Sequence, residues 1–501
     1  MTLNKIYLIA VLGCLAALVT SCNEEKFLSE ATFSTQTVLA PSSNKDIDDF
    51  VRGGYFNLKS PGDWGILDLT KVHNTLVTHV VEQQPFADGS RNGGSNVQPL
   101  YLRQNTENAI TAIGYGFRGA YNVLQSANNV LEYYQQAGGT IVDINEAWVP
   151  RIKGEAYFLR AFAHFYLTRV FAPPFSSQPT AKGIILKKTP NVSATSFDAP
   201  STNQETYDLI ISDLQQAIQL LPEKYIPGVH PETYQDRAQK DAARALLAEV
   251  YFIMGKQYWP KALEQCNAIL GANNSKYPLV KTDLRKNIFN LQGLGLRASE
   301  TIWHVSFYYR NAWRTPRMSG LYTGNATNRQ RGIALSSSMT DALGWNVPAE
   351  AAKDLRYRDW FIRYNAGEDP LYKSDYKEPY HIWNNKYQNA VANVPMFRSP
   401  EFLLMRALIK FDGGNTAEAL ADLNLTRQRA GLPLLSAVTL KAIDDEWYKE
   451  LSFEGAELMY LQAQKRPIPS GDRQGSDIPY DDPSMVWLFP MAELSRNPAL
   501  N

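Results

Sequence analysis

Cysteine is nearly absent. Three occur among 501 residues, at Cys14, Cys22 and Cys266. The first two lie in or beside an apolar leader, so no internal disulfide framework is available. Cys266 sits in ALEQCNAIL, where a helix makes it an apolar packing residue rather than a nucleophile. Histidine is also scarce. His73, His79, His164, His230, His304 and His381 form no HExxH or other metal spacing. His164 falls in an apolar helix and reads as a hydrogen-bonded core residue. No GxSxG elbow, CxxC pair or EF-hand loop is present. Formal net charge is zero and there is no basic tail, which excludes a general nucleic-acid binder. Only one long apolar run exists, at the front, so no later segment is expected to span a membrane.

Two glycine strings imitate dinucleotide fingerprints and fail in context. Gly114-x-Gly116-x-x-Gly119 follows a helical stretch instead of a strand. Gly116 and Gly119 are expected to permit close helix contact. Gly293-x-Gly295-x-x-Ala298 precedes strand-like residues rather than a helix. Acidic pairs at Asp444-Asp445 and Asp481-Asp482 are of the type a glycosidase uses, and also of the type that decorates a solvated surface. With no catalytic arrangement in view, no enzyme, cofactor or metal is expected.

The front of the chain carries Lys5, an apolar run from Ile6 to Val19, and then Thr20-Ser21-Cys22. This fits a removable signal over 1–21. The junction resembles a bacterial lipobox, in which Cys22 is acylated and becomes the mature N-terminus. Acyl chains contribute about 0.8 kcal/mol per buried CH₂, so more than one chain anchors stably in outer-membrane lipid. An ordinary secretory signal with a chance cysteine is the alternative. Residues 22–45 are polar and read as a lipidated tether. Glu24-Glu25 resembles the acidic export signal of Bacteroidetes surface lipoproteins.

Helical periodicity follows. Ile47, Phe50, Val51, Tyr55 and Leu58 share a face. Over 151–171, Ile152, Ala156, Leu159, Ala163, Tyr166 and Val170 form one stripe and Phe158, Phe162 and Phe165 a second, so both faces are buried. Pro173-Pro174 end that helix. Thr202-x-x-Glu205 is a capping box for the next, and Pro222 terminates it. The stretches 246–263 and 404–420 share a design of helix, glycine turn (Gly255, Gly414) and second helix. That design resembles the tetratricopeptide pattern of roughly 34 residues per unit. Helices at 116–134 and 205–221 can supply stacking partners. Two stretches, about 60–105 and 272–395, are rich in Gly, Pro, Asn and aromatics with short β-like pieces, and read as functional layers.

Several segments together resemble the SusD/RagB family, the Bacteroidetes surface lipoproteins that partner TonB-dependent transporters. They are GEAYFLRAFAHFYLTRVFAPPF (154–175), TYDLIISDLQQAIQLLP (206–222), RAQKDAARALLAEVYFIMGK (237–256), RSPEFLLMRALIKFDGGNTAEALADLNLTRQRAGLP (398–433), EWYKELSFEGAEL (446–458) and VWLFPMAELSRNPAL (486–500). They occur in the family's order. After FEGAELM the usual Arg-Arg-Trp-Gly run is replaced by QAQKRPI. The resemblance implies a mainly α fold: a tetratricopeptide-like helical-pair scaffold carrying a loop-rich ligand-binding layer with short strands. It implies a single SusD-like domain over 46–501, with repeat helices about 203–271 and 398–432. It implies a glycan ligand or, in some members, a peptide, and a SusC-like TonB-dependent transporter as partner.

Family residues do not transfer to the variable loops, so these are read directly. Phe307, Tyr308, Tyr309, Trp313 and Tyr322 place five rings in sixteen residues. Trp303 is strand-like and expected to pack inward. Trp313, flanked by Arg310, Asn311 and Arg314, reads either as an exposed stacking platform or as core. Phe86, Asn96 and Tyr101 are the corresponding candidates in the earlier loop, where Gly and Asn also suit plain turns. From Thr301 to Thr340 there is no Asp or Glu but five Arg, at 310, 314, 317, 329 and 331. That local positive field suits an acidic glycan or a peptide carboxylate, or else pairs with acids elsewhere or faces the transporter. The resulting expectation is a cell-surface lipoprotein that captures a glycan for the transporter. Oligopeptide capture and a non-binding assembly scaffold are the alternatives.

Overall fold

The computed structural model describes residues 43–59, 65–83, 97–136, 148–190, 197–307, 333–365, 367–368, 379–389 and 391–500. Its frame is a run of helices packed in sequence. The longer ones are α1 (Asn44–Asn57), α2 (Glu107–Gln136), α3 (Trp148–Phe171), α4 (Asn203–Leu220), α5 (Lys240–Ile253), α6 (Trp259–Leu270), α7 (Ser399–Asp412), α8 (Thr416–Arg429), α9 (Leu440–Leu451) and α10 (Glu457–Ala463). Each of α1 to α8 packs on the next, and α9 closes against α7 and α8. Helices stacked in this way bury faces that no pair could bury alone.

Local chemistry accounts for the ends. Thr202 Oγ1 accepts from Glu205 N–H at 3.2 Å while Glu205 Oε2 accepts from Thr202 N–H at 2.8 Å, the expected capping box. Ser43 and Asp46 make a second one at α1, which composition had not suggested. Gly255 (φ +103°) and Gly414 (φ +82°) turn the chain between α5 and α6 and between α7 and α8. The helix expected over 151–171 is α3, buried along almost its whole length between α2 and α4. Its charged residues are matched inside. Arg160 grips Asp213 through two hydrogen bonds of 2.8 Å. His164 is fully buried, and its Nε2 accepts from Lys187 N–H at 3.2 Å.

The six strands among the described residues fall in or next to the two loop-rich stretches. β1 (Val81–Gln83), β3 (Ile333–Leu335), β5 (Tyr380–Asn384) and β4 (Phe361–Asn365) form an antiparallel sheet in that order, and β2 (Thr301–Val305) pairs with β6 (Val394–Arg398). One part of the expected loop layer is core instead. Residues 65–78 are buried throughout, and Leu69–His73 form a π-turn. Two glycines make room for it. A Cβ on Gly116 would lie 2.5 Å from Leu69 Cγ, and one on Gly455 would lie 2.1 Å from the Thr70 carbonyl oxygen. Gly116 thus permits close contact, as expected, with the π-turn as the partner.

The signature segments of the second half meet in a buried ionic cluster. Arg398, before α7, bonds Glu300, Glu450 (3.0 Å) and Glu454. Arg356 bonds Asp354 at 2.8 Å and Glu446 at 2.7 Å. Arg429, from the R-x-R-A-G run, bonds Glu450. Burial raises the Glu450 pKa, but Arg429, Arg398 and Arg356 outweigh it and hold the carboxyl well below its ordinary range. Breaking one arm of such a cluster strands an unpaired buried charge, which typically costs about 3–5 kcal/mol.

Candidate functional site

A pocket of about 420 Å³ opens between the C-terminal half of α1 and strand β2. Tyr55, Phe56 and Leu58 form one wall, Trp303 to Ser306 the other, and Asp236 the floor. The opposed wall is set by β2, whose pairing with β6 shifts register on both sides of Trp303. Trp303 is 1% exposed and packed as expected for a core ring. Phe158 and Phe162 meet its indole edge-on at 5.0 and 5.5 Å, Tyr55 does so at 6.4 Å, and its Nε1–H donates to the Asp236 carbonyl at 3.2 Å. The rings around the pocket are therefore fixed before any ligand arrives.

Two polar groups lie at the bottom. Asp236 Oδ1 receives the Gly295 N–H at 2.7 Å and lies 2.9 Å from His304 Nε2. Burial pushes the Asp236 pKa up. The His304 hydrogen bond and charge, the Gly295 N–H and the Ser306 hydroxyl outweigh it, so the carboxyl sits below its ordinary value. The second glycine string thus has a structural job: Gly295, at φ +70°, supplies a backbone donor to this carboxylate. Arg237, next to Asp236, also lines the pocket, but its guanidinium is bound elsewhere. It makes two 3.0 Å bonds to Asp48 on α1, and Arg151 bonds Asp48 and Glu155 in the same buried group. At the mouth, Arg52 pairs with Asp49, and Lys59 lies 5.4 Å from the Phe307 ring centre.

Trp313, Tyr309, Arg314, Tyr322, Asn311 and Arg310 lie outside the described residues, as do Phe86, Asn96, Cys22 and the arginines at 317, 329 and 331. The chain reaches the first group from Phe307, one residue beyond the pocket-lining Ser306. Tyr101 is described and is 3% exposed. The Arg473 guanidinium stacks 4.0 Å from its ring centre and donates to its carbonyl at 2.6 Å. Its ring supports the interior instead of facing solvent. The sequence reading missed Asp236, His304 and Tyr55. Each lies in an otherwise helical or strand-like run, and only the approach of α1 to β2 brings them together. The acidic pair Asp444-Asp445 is divided between partners: Asp444 binds Arg466 at 2.7 Å and Asp445 binds Lys441 at 2.8 Å. Cys266 is fully buried with Sγ 3.6 Å from Met405 Sδ, and burial raises its thiol pKa far above the ordinary value.

Comparison with known proteins places this architecture. Residues 70–252 match a SusD-like family model described as starch-binding and associating with the outer membrane. Residues 370–459 match the SusD family model. The SusD-like protein P2 of Formosa agariphila is 22% identical over 432 residues, covering 79% of this chain and 77% of that one. Among solved structures, a SusD superfamily protein from Bacteroides thetaiotaomicron superposes with a TM-score of 0.74 at 20% identity, over 91% of this chain and 98% of that chain. The surface glycan-binding protein A of Bacteroides uniformis gives 0.71 at 20% identity, over 92% and 99%. These likenesses show the helical-pair fold, and with the two family models and the ordered signature segments they make the chain a member of the SusD/RagB family.

Proposed function

We propose that this protein is a cell-surface lipoprotein that captures an oligo- or polysaccharide and delivers it to a TonB-dependent outer-membrane transporter. The observation that carries the reading is the pocket between α1 and β2, where Tyr55 and Phe56 bring partly exposed rings to one wall and Asp236 and His304 make a polar floor. Sugar rings present apolar faces and polar edges, and a cleft with flat rings on its walls and a few convergent polar groups suits both. An extended peptide would instead pair along a strand edge, and β2, which has β6 as its one described partner, is the edge it would use, so peptide capture is the alternative the test must separate. The names of the relatives, a glycan-binding protein among them, point the same way. Family membership supports outer-membrane association, and among the described residues no helix is long and apolar enough to cross a membrane. Trp313, Tyr309, Tyr322, Asn311, Arg310 and Arg314, together with Phe86 and Asn96, complete the ligand face in this proposal. No chemistry is assigned to the site.

The test is an oligosaccharide array run beside an oligopeptide library on the chain without residues 1–22. Saccharide binding with no peptide binding is the expected result. Peptide capture alone would replace the reading with its closest alternative. Release of reducing sugar from a bound polysaccharide, lost on one carboxylate substitution, would turn the binder into an enzyme.

A further inference from the structure

The floor of the pocket is built around an anion. The Asp236 side chain is 8% exposed and lines the cavity. Its described donors are the Gly295 N–H, the His304 imidazole and the Ser306 hydroxyl, and no arginine or lysine is among them. A carboxylate offers about four lone-pair sites, so accepting capacity remains. His304 is 2% exposed, lines the same cavity, and its Nδ1 is buried without a hydrogen-bond partner. A buried ring nitrogen left this way is costly unless something fills it. Arg237 also lines the cavity, but its guanidinium bonds Asp48 and lies 3.5 Å from Glu155, and it is not among the donors to Asp236. The positive groups Arg52 and Lys59 stand at the mouth.

On the footing that this pocket is the capture site, we infer that it selects an uncharged sugar unit through its hydroxyl groups, with Asp236 accepting from a hydroxyl and His304 positioning the carboxylate. A uronate or sulfate at the floor would set a second negative charge beside Asp236 in a partly desolvated cleft, offset there only to the extent that His304 carries a proton. An amino sugar would have to pass Lys59 at the mouth, where Arg52 is already paired with Asp49. A neutral hydroxyl meets neither barrier, since it donates to the carboxylate and leaves its own oxygen to accept. This runs against the acidic ligand that the arginines of 310–331 suggest, and it assigns the charge preference to the floor instead of to those arginines.

The experiment compares neutral, uronic-acid and amino-sugar oligosaccharides of the glucose, galactose, mannose and xylose series on the chain without residues 1–22. Calorimetry on the tightest binder then follows, for wild type, Asp236→Asn, His304→Gln and His304→Leu. The expected result is a neutral best ligand whose affinity is flat between low and high NaCl. Asp236→Asn should weaken it about 10- to 100-fold, the range for a hydrogen bond to a charged group. His304→Gln, which keeps a donor for Asp236, should retain more affinity than His304→Leu. The salt series uses wild type alone, so it stands even if a variant does not fold. A best ligand that is a uronate or an amino sugar overturns the inference and leaves glycan capture intact. So does a neutral ligand indifferent to Asp236→Asn in a folded protein, or one whose affinity falls steeply with salt. Failure of every saccharide to bind removes the capture reading itself, and the inference with it.

Discussion

At the scale of the residue, burial decides what each titratable group contributes. His164 is enclosed on α3, and burial, followed by the nearby Arg160 and Lys188 charges, lowers its pKa to about 3. Unfolded histidine takes its proton near pH 6.5. Between pH 6.5 and 3 the unfolded chain therefore binds a proton that the folded chain refuses, and this residue's support for the fold is lost as pH falls through that window. His164→Gln removes the effect. The stability difference between wild type and His164→Gln should shrink on acidification, by up to about 1.4 kcal/mol per pH unit. Denaturant melts at pH 7, 6, 5 and 4 measure it, and a constant difference would show that the buried imidazole titrates normally. Trp313 is the opposite kind of residue, proposed as an exposed ring. Trp313→Ala should weaken saccharide binding by about 1–3 kcal/mol while leaving the melting temperature in place. A large fall in melting temperature would make Trp313 a core ring, and unchanged affinity with unchanged melting would move the search to Phe86.

At the scale of the element, much was legible because helix signals are local. The stripes of α3, the Thr202–Glu205 box, the glycine turns at 255 and 414 and the inward Trp303 all appear where residue spacing puts them. The pocket was not legible, because Tyr55, Asp236 and His304 come from three segments that only the packing of α1 on the scaffold brings together. The π-turn was hidden for a related reason: its polar-looking sequence LTKVH is buried by contacts with α2 and with the start of α10. That contact yields a paired prediction. Gly414 has φ +82° with nothing within 4 Å of an added Cβ, so Gly414→Ala should cost about 1–2 kcal/mol, the strain of a left-handed backbone alone. Gly455 has φ +77° and abuts the Thr70 carbonyl, so Gly455→Ala should cost about 2–5 kcal/mol. Equal losses in chemical denaturation would mean that the π-turn yields easily and does not fix α10.

At the scale of the whole molecule, the family signature turns out to be largely a charge map. Arg398 and Arg429 come from one signature segment, Glu446, Glu450 and Glu454 from the next, and they converge in one dry cluster. That explains why the signature reports the fold and is silent on the ligand. The proposed membrane attachment is a separate matter and rests on one atom. Cys22→Ala should abolish partition into detergent and leave the melting curve unchanged, since only a thiol accepts the lipid; a variant that still partitions would end the lipoprotein proposal. Sulfur chemistry also sets how this protein can be studied. A chain begun after residue 22 carries Cys266 alone, and that thiol is sealed against Met405 and held protonated. A cysteine then introduced at the pocket mouth, for instance at Arg52, becomes the one site open to a maleimide dye or spin label. Without residues 1–22 the chain is in effect already cysteine-free to reagents, and distances from the pocket mouth to a bound ligand can be measured on it without further substitution.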